Sequence, residues 1–371
     1  MSDTIIEIEN FCLRGRLSQG PWGPPYGFVV KITTKDGIVG FGESDTMPEI
    51  AVAVVEALYH NPLVTGLRQL LIGTPAEPEI AWRRMQEAVV QYGREGVVVH
   101  AMAAIDIALW DIAGKRAGQP LAKLFGGAAR ERLRCYGTHH LEATPAETAA
   151  HAQRLVADGF TAVKFGWSPL GRDAESDEVI VCGLRSAIGP SVDLLIDAGM
   201  VWDAEIAIDR AARFRPYQLF WLEEPLRAYD MGAYAKLCST VDVPIAAGEM
   251  AATTDELTRL MNSGIKILQI DVSRTGLTQA LQIARQAGDR GIQVVNHTYG
   301  YLMNTAASIH LMAFAAHISL FECQAAANEL RKAIDMGQLR PKDGWLEVPN
   351  RAGLGIDVDE AVLRHFDGRK K

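Results

Sequence analysis

Between residues 193 and 250, three short apolar runs, 194–196, 219–222 and 243–247, each close on a carboxylate: Asp197, Glu223 and Glu249. Successive acids stand 26 residues apart, room for a loop, a crossover helix and the next strand of a parallel α/β repeat. Strands buried on both faces read as continuous apolar runs, as these do. The rhythm predicts strands at 133–137, 161–165, 193–196, 219–222, 244–247, Ile267–Ile270, 292–296 and 318–321. Helical segments such as 145–158, 177–188 and 203–214 fall between them. Eight strands alternating with helices predict an α/β fold on a TIM-type barrel.

The chain before the barrel has a different period. Residues 27–43 alternate on either side of Lys35-Asp36-Gly37, a hairpin with an Asp-Gly turn. With Ile5-Ile6-Glu7-Ile8 it makes a small antiparallel sheet. From 50 to 119 apolar residues recur at helical spacing. Asp106 and Asp111 interrupt this pattern on different faces, as structural acids satisfying helix ends or neighbouring backbone. Gly126-Gly127 marks the boundary. The expected organisation is an α+β capping domain over 1–128, a barrel over 129–324, and a segment over 325–371 that returns to the capping domain. The Gly/Pro-rich stretch 15–26 carries Trp22 and Tyr26 and reads either as a rigid linker or as a flap closing over a ligand.

Composition narrows the partners. Of 371 residues, 22% are charged and 48% hydrophobic, with a net charge of −8, which argues against nucleic acid or an anionic membrane. Cys12, Cys135, Cys182, Cys238 and Cys323 are scattered, with no CxxC pair, as in a reducing, cytoplasmic setting rather than a disulfide framework or zinc site. Residues 1–10 are polar, unlike a secretory signal, and no uninterrupted apolar run approaches the roughly 18 residues a membrane span needs.

The candidate chemistry lies at the strand ends. In a barrel of parallel strands the C-terminal ends open onto one face, so Asp197, Glu223 and Glu249 converge. Close like charges repel unless a cation lies among them, and oxygen-only ligation selects a hard divalent ion, Mg²⁺ first. The plainer reading makes each acid a helix cap or loop residue. Four further runs end Lys164-Phe165-Gly166-Trp167, Ile270-Asp271, Asn296-His297 and Phe321-Glu322. Asp271 accepting the Nδ1 proton of His297 leaves Nε2 facing the cavity as a base. A cation chelating a substrate carboxylate holds the charge left when the α-proton departs. Lys164 adds positive charge there or merely neutralises the metal acids. Glu322 hydrogen-bonds the other carboxylate oxygen if the surrounding acids raise its pKa.

These motifs resemble the enolase superfamily, and within it the mandelate racemase-like subgroup. The resemblance runs over nearly the whole chain. It rests on Ala103 to Gly127, Ile196-Asp197, Leu222-Glu223-Glu224-Pro225, Gly248-Glu249, Asp271 to Gly276, Asn296-His297, Glu322 and Gly353-Leu354-Gly355. It implies a (β/α)7β barrel under an α+β cap, Mg²⁺ on Asp197, Glu223 and Glu249, an Asp271–His297 base and Glu322 as electrophile. Two departures stand out. Many members carry Lys-x-Lys on the second strand, the second lysine being a base on the opposite face; here Gly166 takes its place. Gly199 stands two residues after Asp197, where relatives often have Asn.

Racemisation needs an acceptor on each face, so dehydration of an aldonate or aldarate to a 2-keto-3-deoxy acid sugar is the leading expectation. His297 removes the α-proton and then protonates the departing β-hydroxyl; His139 and His140 are possible second acids. The alternatives are a racemase, epimerase or cycloisomerase of a hydroxy acid or acid-sugar lactone, and a non-catalytic member of the fold. Lys164, Trp22, Tyr26, Trp167, His139, Asn296, Tyr299 and Tyr301 are candidate pocket contacts, with Arg274 buttressing the dyad. The expected partner is a small-molecule carboxylate, in a homo-oligomer as is common among relatives.

Overall fold

The computed structural model describes residues 3–16, 24–127, 130–315, 320–324 and 328–370. Residues 17–23, with Trp22 and most of the expected flap, lie outside them. Strands β1 (Ile5–Arg14), β2 (Tyr26–Thr34) and β3 (Val39–Ser44) form an antiparallel sheet in that order. Gly37, at φ 82°, turns the hairpin, a conformation that costs glycine little. Helix α1 (Val97–Ala117) lies against this sheet. Gly40 and Gly42 of β3 allow the close approach: a Cβ on either would come within 3.0 Å of α1 carbonyl oxygens, those of Ala108 and Ala104.

α1 shows almost no one-sided apolar face because it is buried nearly all round. It is long and apolar enough to cross a membrane, but 78% of that stretch is buried inside the fold. Its two acids have structural partners. Asp106 accepts from the backbone N–H of Thr278 at 2.8 Å and from its hydroxyl at 2.6 Å. Asp111 accepts from the N–H of Phe41 and Leu354 and pairs with Lys115.

The barrel strands are β4 (Arg132–His140), β5 (Ala162–Gly166), β6 (Asp193–Asp197), β7 (Leu219–Glu223), β8 (Ile245–Ala247), β9 (Ile267–Ile270), β10 (Gln293–Asn296) and β11 (Phe321–Gln324). Parallel pairing runs in the order β10-β9-β8-β7-β6-β5-β4-β11. Tyr136, Ala162, Leu195, Trp221, Ala246, Ile267, Val295 and Leu320 fill the interior, so the barrel is plugged below its mouth. The connecting helices Pro145–Ala157, Ala174–Ile188 and Ala204–Phe214 are capped by Thr144, Asp173 and Asp203. Asp173, whose carboxylate accepts from Ser176 N–H at 2.8 Å, starts its helix a turn before the position expected from sequence. Glu322 lies within β11 rather than at its end.

The C-terminal segment does two things. β12 (Trp345–Glu347) first pairs antiparallel with the start of β4. The helix Glu360–Phe366 then returns to the capping sheet, where Arg364 pairs with Glu9 at 3.0 Å.

Candidate active site

Register brings the strand-end acids together. Asp197 pairs with Glu223 across β6 and β7, and Glu223 with Ala246 of β8, whose chain continues through Gly248 to Glu249. Each of the three acids offers an oxygen within 4.8 Å of the others, and all three are buried. Burial, then Glu223 and Glu249, push the Asp197 carboxyl well above its ordinary range; burial also raises Glu223. Three buried carboxylates this close cannot all ionise without a cation, and their donor set is all oxygen. The group fits a hard divalent ion of the Mg²⁺ class.

Facing them, His297 Nδ1 lies 2.8 Å from Asp271 Oδ2 and Nε2 lies 3.5 Å from Glu249 Oε2. Asp271 caps the next helix, α2 (Val272–Asp289), by accepting from the Ser273 N–H at 2.8 Å. Burial alone would lower the His297 pKa, but Glu249, the Asp271 hydrogen bond and Glu322 outweigh it and push it up to about 10. Burial would raise Asp271, and the imidazole and Arg274 hold it below its usual range. Arg274 donates to the carbonyl of Glu249 at 2.7 Å and has its Nε 3.8 Å from Asp271, so it stands behind the dyad.

Lys164 sits among the acids, bonded to Glu223, 2.8 Å from Glu322 and 3.9 Å from Asp197. Burial would lower its pKa, but Glu223 and Glu322 raise it well above the ordinary lysine value. Glu322 lies between Lys164 and the His297 segment. Burial raises its pKa, yet Lys164 and His297, with the Thr298 N–H at 2.7 Å, hold it below the usual carboxylate range. It accepts from the Thr298 N–H, and Lys164 is the cation beside it.

Two expected pocket residues are turned away. The Asn296 side chain is 0% exposed, accepts from the Glu322 N–H at 2.9 Å and also bonds Thr298. It closes the seam between β10 and β11, where the barrel lacks a ladder among the described residues. His139 Nδ1 donates to the His140 carbonyl at 2.8 Å, and its ring lies 4.2 Å from that of His151, beside Glu142. His140 instead meets the Tyr299 hydroxyl at 2.7 Å, and Tyr299 stacks with His297 at 5.9 Å. Trp167 donates its indole N–H to Asp197 at 3.1 Å. A Cβ at Gly199 would press on that indole, at 3.1 Å from Cδ2. Tyr26 is 40% exposed, and its carbonyl accepts from the Tyr301 hydroxyl at 2.8 Å.

Gly166 stands where a second base would be. In this backbone a Cβ there would come within 3.0 Å of Asp197, so β5 and β6 pack closely at this point. Glu43, and the contact Asp45 makes with Arg274, escaped the sequence reading. Both residues end the capping sheet with no local periodicity to mark them, yet Glu43 bonds the segment after His297 and Asp45 approaches Arg274 at 3.4 Å.

Comparison with known proteins agrees with this arrangement. The family description "Mandelate racemase / muconate lactonizing enzyme, N-terminal domain" matches residues 26–126, and "Enolase C-terminal domain-like" matches 147–362. The chain is 29% identical over 352 residues to D-galactarolactone cycloisomerase of Agrobacterium fabrum, covering 91% of this chain and 90% of that protein. It is likewise 29% identical over 348 residues to arabinonate dehydratase of Saccharolobus solfataricus, with the same coverage of 91% and 90%. The crystal structure of a racemase from Streptomyces coelicolor with bound magnesium superposes with a TM-score of 0.86 at 27% identity, over 98% of this chain and 99% of the other. The chain therefore belongs to the enolase superfamily, in its mandelate racemase/muconate lactonizing enzyme branch.

Proposed function

We propose that this protein is a Mg²⁺-dependent acid-sugar dehydratase that removes the proton α to a carboxylate and expels the β-hydroxyl, giving a 2-keto-3-deoxy acid. The observation that carries the reading is one-sided: a buried imidazole–carboxylate dyad faces three convergent acids, while Gly166 supplies no side chain as a base across from it. Asp197, Glu223 and Glu249 would hold Mg²⁺, which supplies the Lewis acidity that makes the α-carbon acidic enough to deprotonate. Asp271 fixes the His297 tautomer with Nε2 toward the cavity, where it takes the α-proton. Lys164 supplies positive charge to the substrate carboxylate, and Glu322 holds Lys164 in place. The His297 imidazolium then carries a proton for a β-hydroxyl leaving from the same face. Trp167, Tyr299 and Tyr26 are the pocket walls in this reading.

Cycloisomerisation shares the first half-reaction, and the Agrobacterium relative favours it as the second reading. A lactone whose ring oxygen sits on the β-carbon leaves as a carboxylate and needs no proton. A semicarbazide screen across aldonates, aldarates and their lactones with Mg²⁺ decides between the two. Keto-acid formation from an open-chain acid sugar supports dehydration, and formation from lactones alone supports cycloisomerisation. α-Deuterium exchange in D₂O with no keto acid for any compound would sink both.

A further inference from the structure

The capping sheet reaches the dyad from behind. Glu43, at the end of β3, is 1% exposed and has no ion pair among the described residues. Its carboxylate accepts from the backbone N–H groups of Tyr301, Met303 and Asn304, the last two at 3.2 Å. These groups open helix α3 (Leu302–Phe314), where N–H groups have no partner within the helix. A side chain at Gly300 would put its Cβ within 3.0 Å of the Glu43 carboxylate. α3 begins five residues after His297, and Asn304 in its first turn directs its amide at Asp271 Oδ1, 3.4 Å away.

Two residues further along the same segment, the other half of the dyad is met. The Asp45 N–H donates to Ser273 Oγ at 3.3 Å, and its carboxylate lies 3.4 Å from Arg274, which lies behind Asp271 and holds the Glu249 carbonyl. Residues 43–45 thus touch both the segment that follows His297 and the one that follows Asp271.

We propose that Glu43 is a positioning residue: through the start of α3 it holds the His297–Asp271 pair in line with the site, so proton abstraction depends on how the capping domain is docked. This rests on the dyad being the base of the proposed reaction. A helix cap that served stability alone would make the same hydrogen bonds, so the test separates the two.

Glu43→Gln and Gly300→Ala approach the contact from its two sides. Asp111→Asn is the control, an equally buried capping-domain carboxylate that binds Phe41, Leu354 and Lys115 and does not reach the dyad. All three variants lose thermal stability. The first two alone lose kcat, by about 10²-fold, on the acid sugar that the semicarbazide screen yields, with KM and Mg²⁺ affinity within about twofold of wild type. In ¹⁵N-histidine-labelled protein they alone lose the low-field Nδ1–H signal of His297 hydrogen-bonded to Asp271. Retention of that signal in both folded variants, or a kcat drop no larger than that of Asp111→Asn, overturns the proposal. The spectrum needs no turnover, so a wild type inactive on every acid sugar would overturn the dehydratase reading and leave this test standing. Glu43→Ala substitutes for Glu43→Gln if the latter fails to fold.

Discussion

An imidazole with a pKa of about 10 is a poor base at neutral pH, so the His297 proton must be displaced before it can act. Moving from the ordinary 6.5 to about 10 corresponds to about 5 kcal/mol of preference for the imidazolium. The largest source is Glu249, 3.5 Å from Nε2. At an effective dielectric near 20, a unit charge at that distance is worth on the order of 4 kcal/mol. A divalent ion bound by Glu249 offsets that charge, while burial of the ring continues to disfavour the imidazolium. The sign follows: cation loading lowers the His297 pKa, by about 3 pH units on this arithmetic, into the range where it is half-neutral at working pH. The assay is a ¹H–¹⁵N titration of the histidine side chains with and without Mg²⁺, His297→Asn identifying the resonance. If His297 titrates at the same pH in both states, or already near its ordinary value without metal, the electrostatic account of the base is refuted.

Further outcomes follow from the same geometry. Glu249→Gln should bring the His297 pKa down without any metal while weakening Mg²⁺ binding, read by the same titration and by calorimetry. Asp271→Asn should cost about 10²–10⁴ in kcat with little change in KM, since the imidazole tautomer is no longer fixed. Gly166→Ala should destabilise the protein by about 1–3 kcal/mol through overpacking against Asp197 and weaken Mg²⁺ binding, seen as a lower Tm and a raised metal Kd. Above pH 6.5 the pH dependence of stability without metal has one sign; the buried His100 and His310, lowered from 6.5 to about 4, act the other way only below it. Glu43 and Glu224 have folded pKa values raised from 4.5 to about 8, so their stabilising neutrality is lost between those values. The imidazolium of His297 contributes fully below pH 6.5 and is lost as pH rises through about 10. The metal-free Tm should therefore fall steadily from about pH 6.5 to pH 10; a Tm that rises over that span contradicts both assignments.

The barrel was legible because burial on both faces leaves an apolar run ending in a polar residue, a signal contained within each strand. That placed Asp197, Glu223, Asp271 and His297 at the mouth without any knowledge of pairing. What the sequence could not convey was where side chains turn once strands are in register. Asn296 sits beside His297 in the chain, yet it faces the seam, because β10 and β11 need a side chain to replace missing ladder bonds. His139 and His140 are adjacent on β4, so they point to opposite sides: one joins Glu142 and His151, the other Tyr299. The state of Glu322 depended on a lysine 158 residues earlier coming within 2.8 Å. Glu43 was invisible for a related reason, since its partners are backbone N–H groups of another domain.

Crystals grown with Mn²⁺ in place of Mg²⁺ and measured at the manganese edge put the cation itself on view. The account predicts one strong anomalous peak shared by Asp197, Glu223 and Glu249, with His297 Nε2 facing it across the cavity. A peak absent from those acids, or found instead at His139, Glu142 and His151, would contradict it.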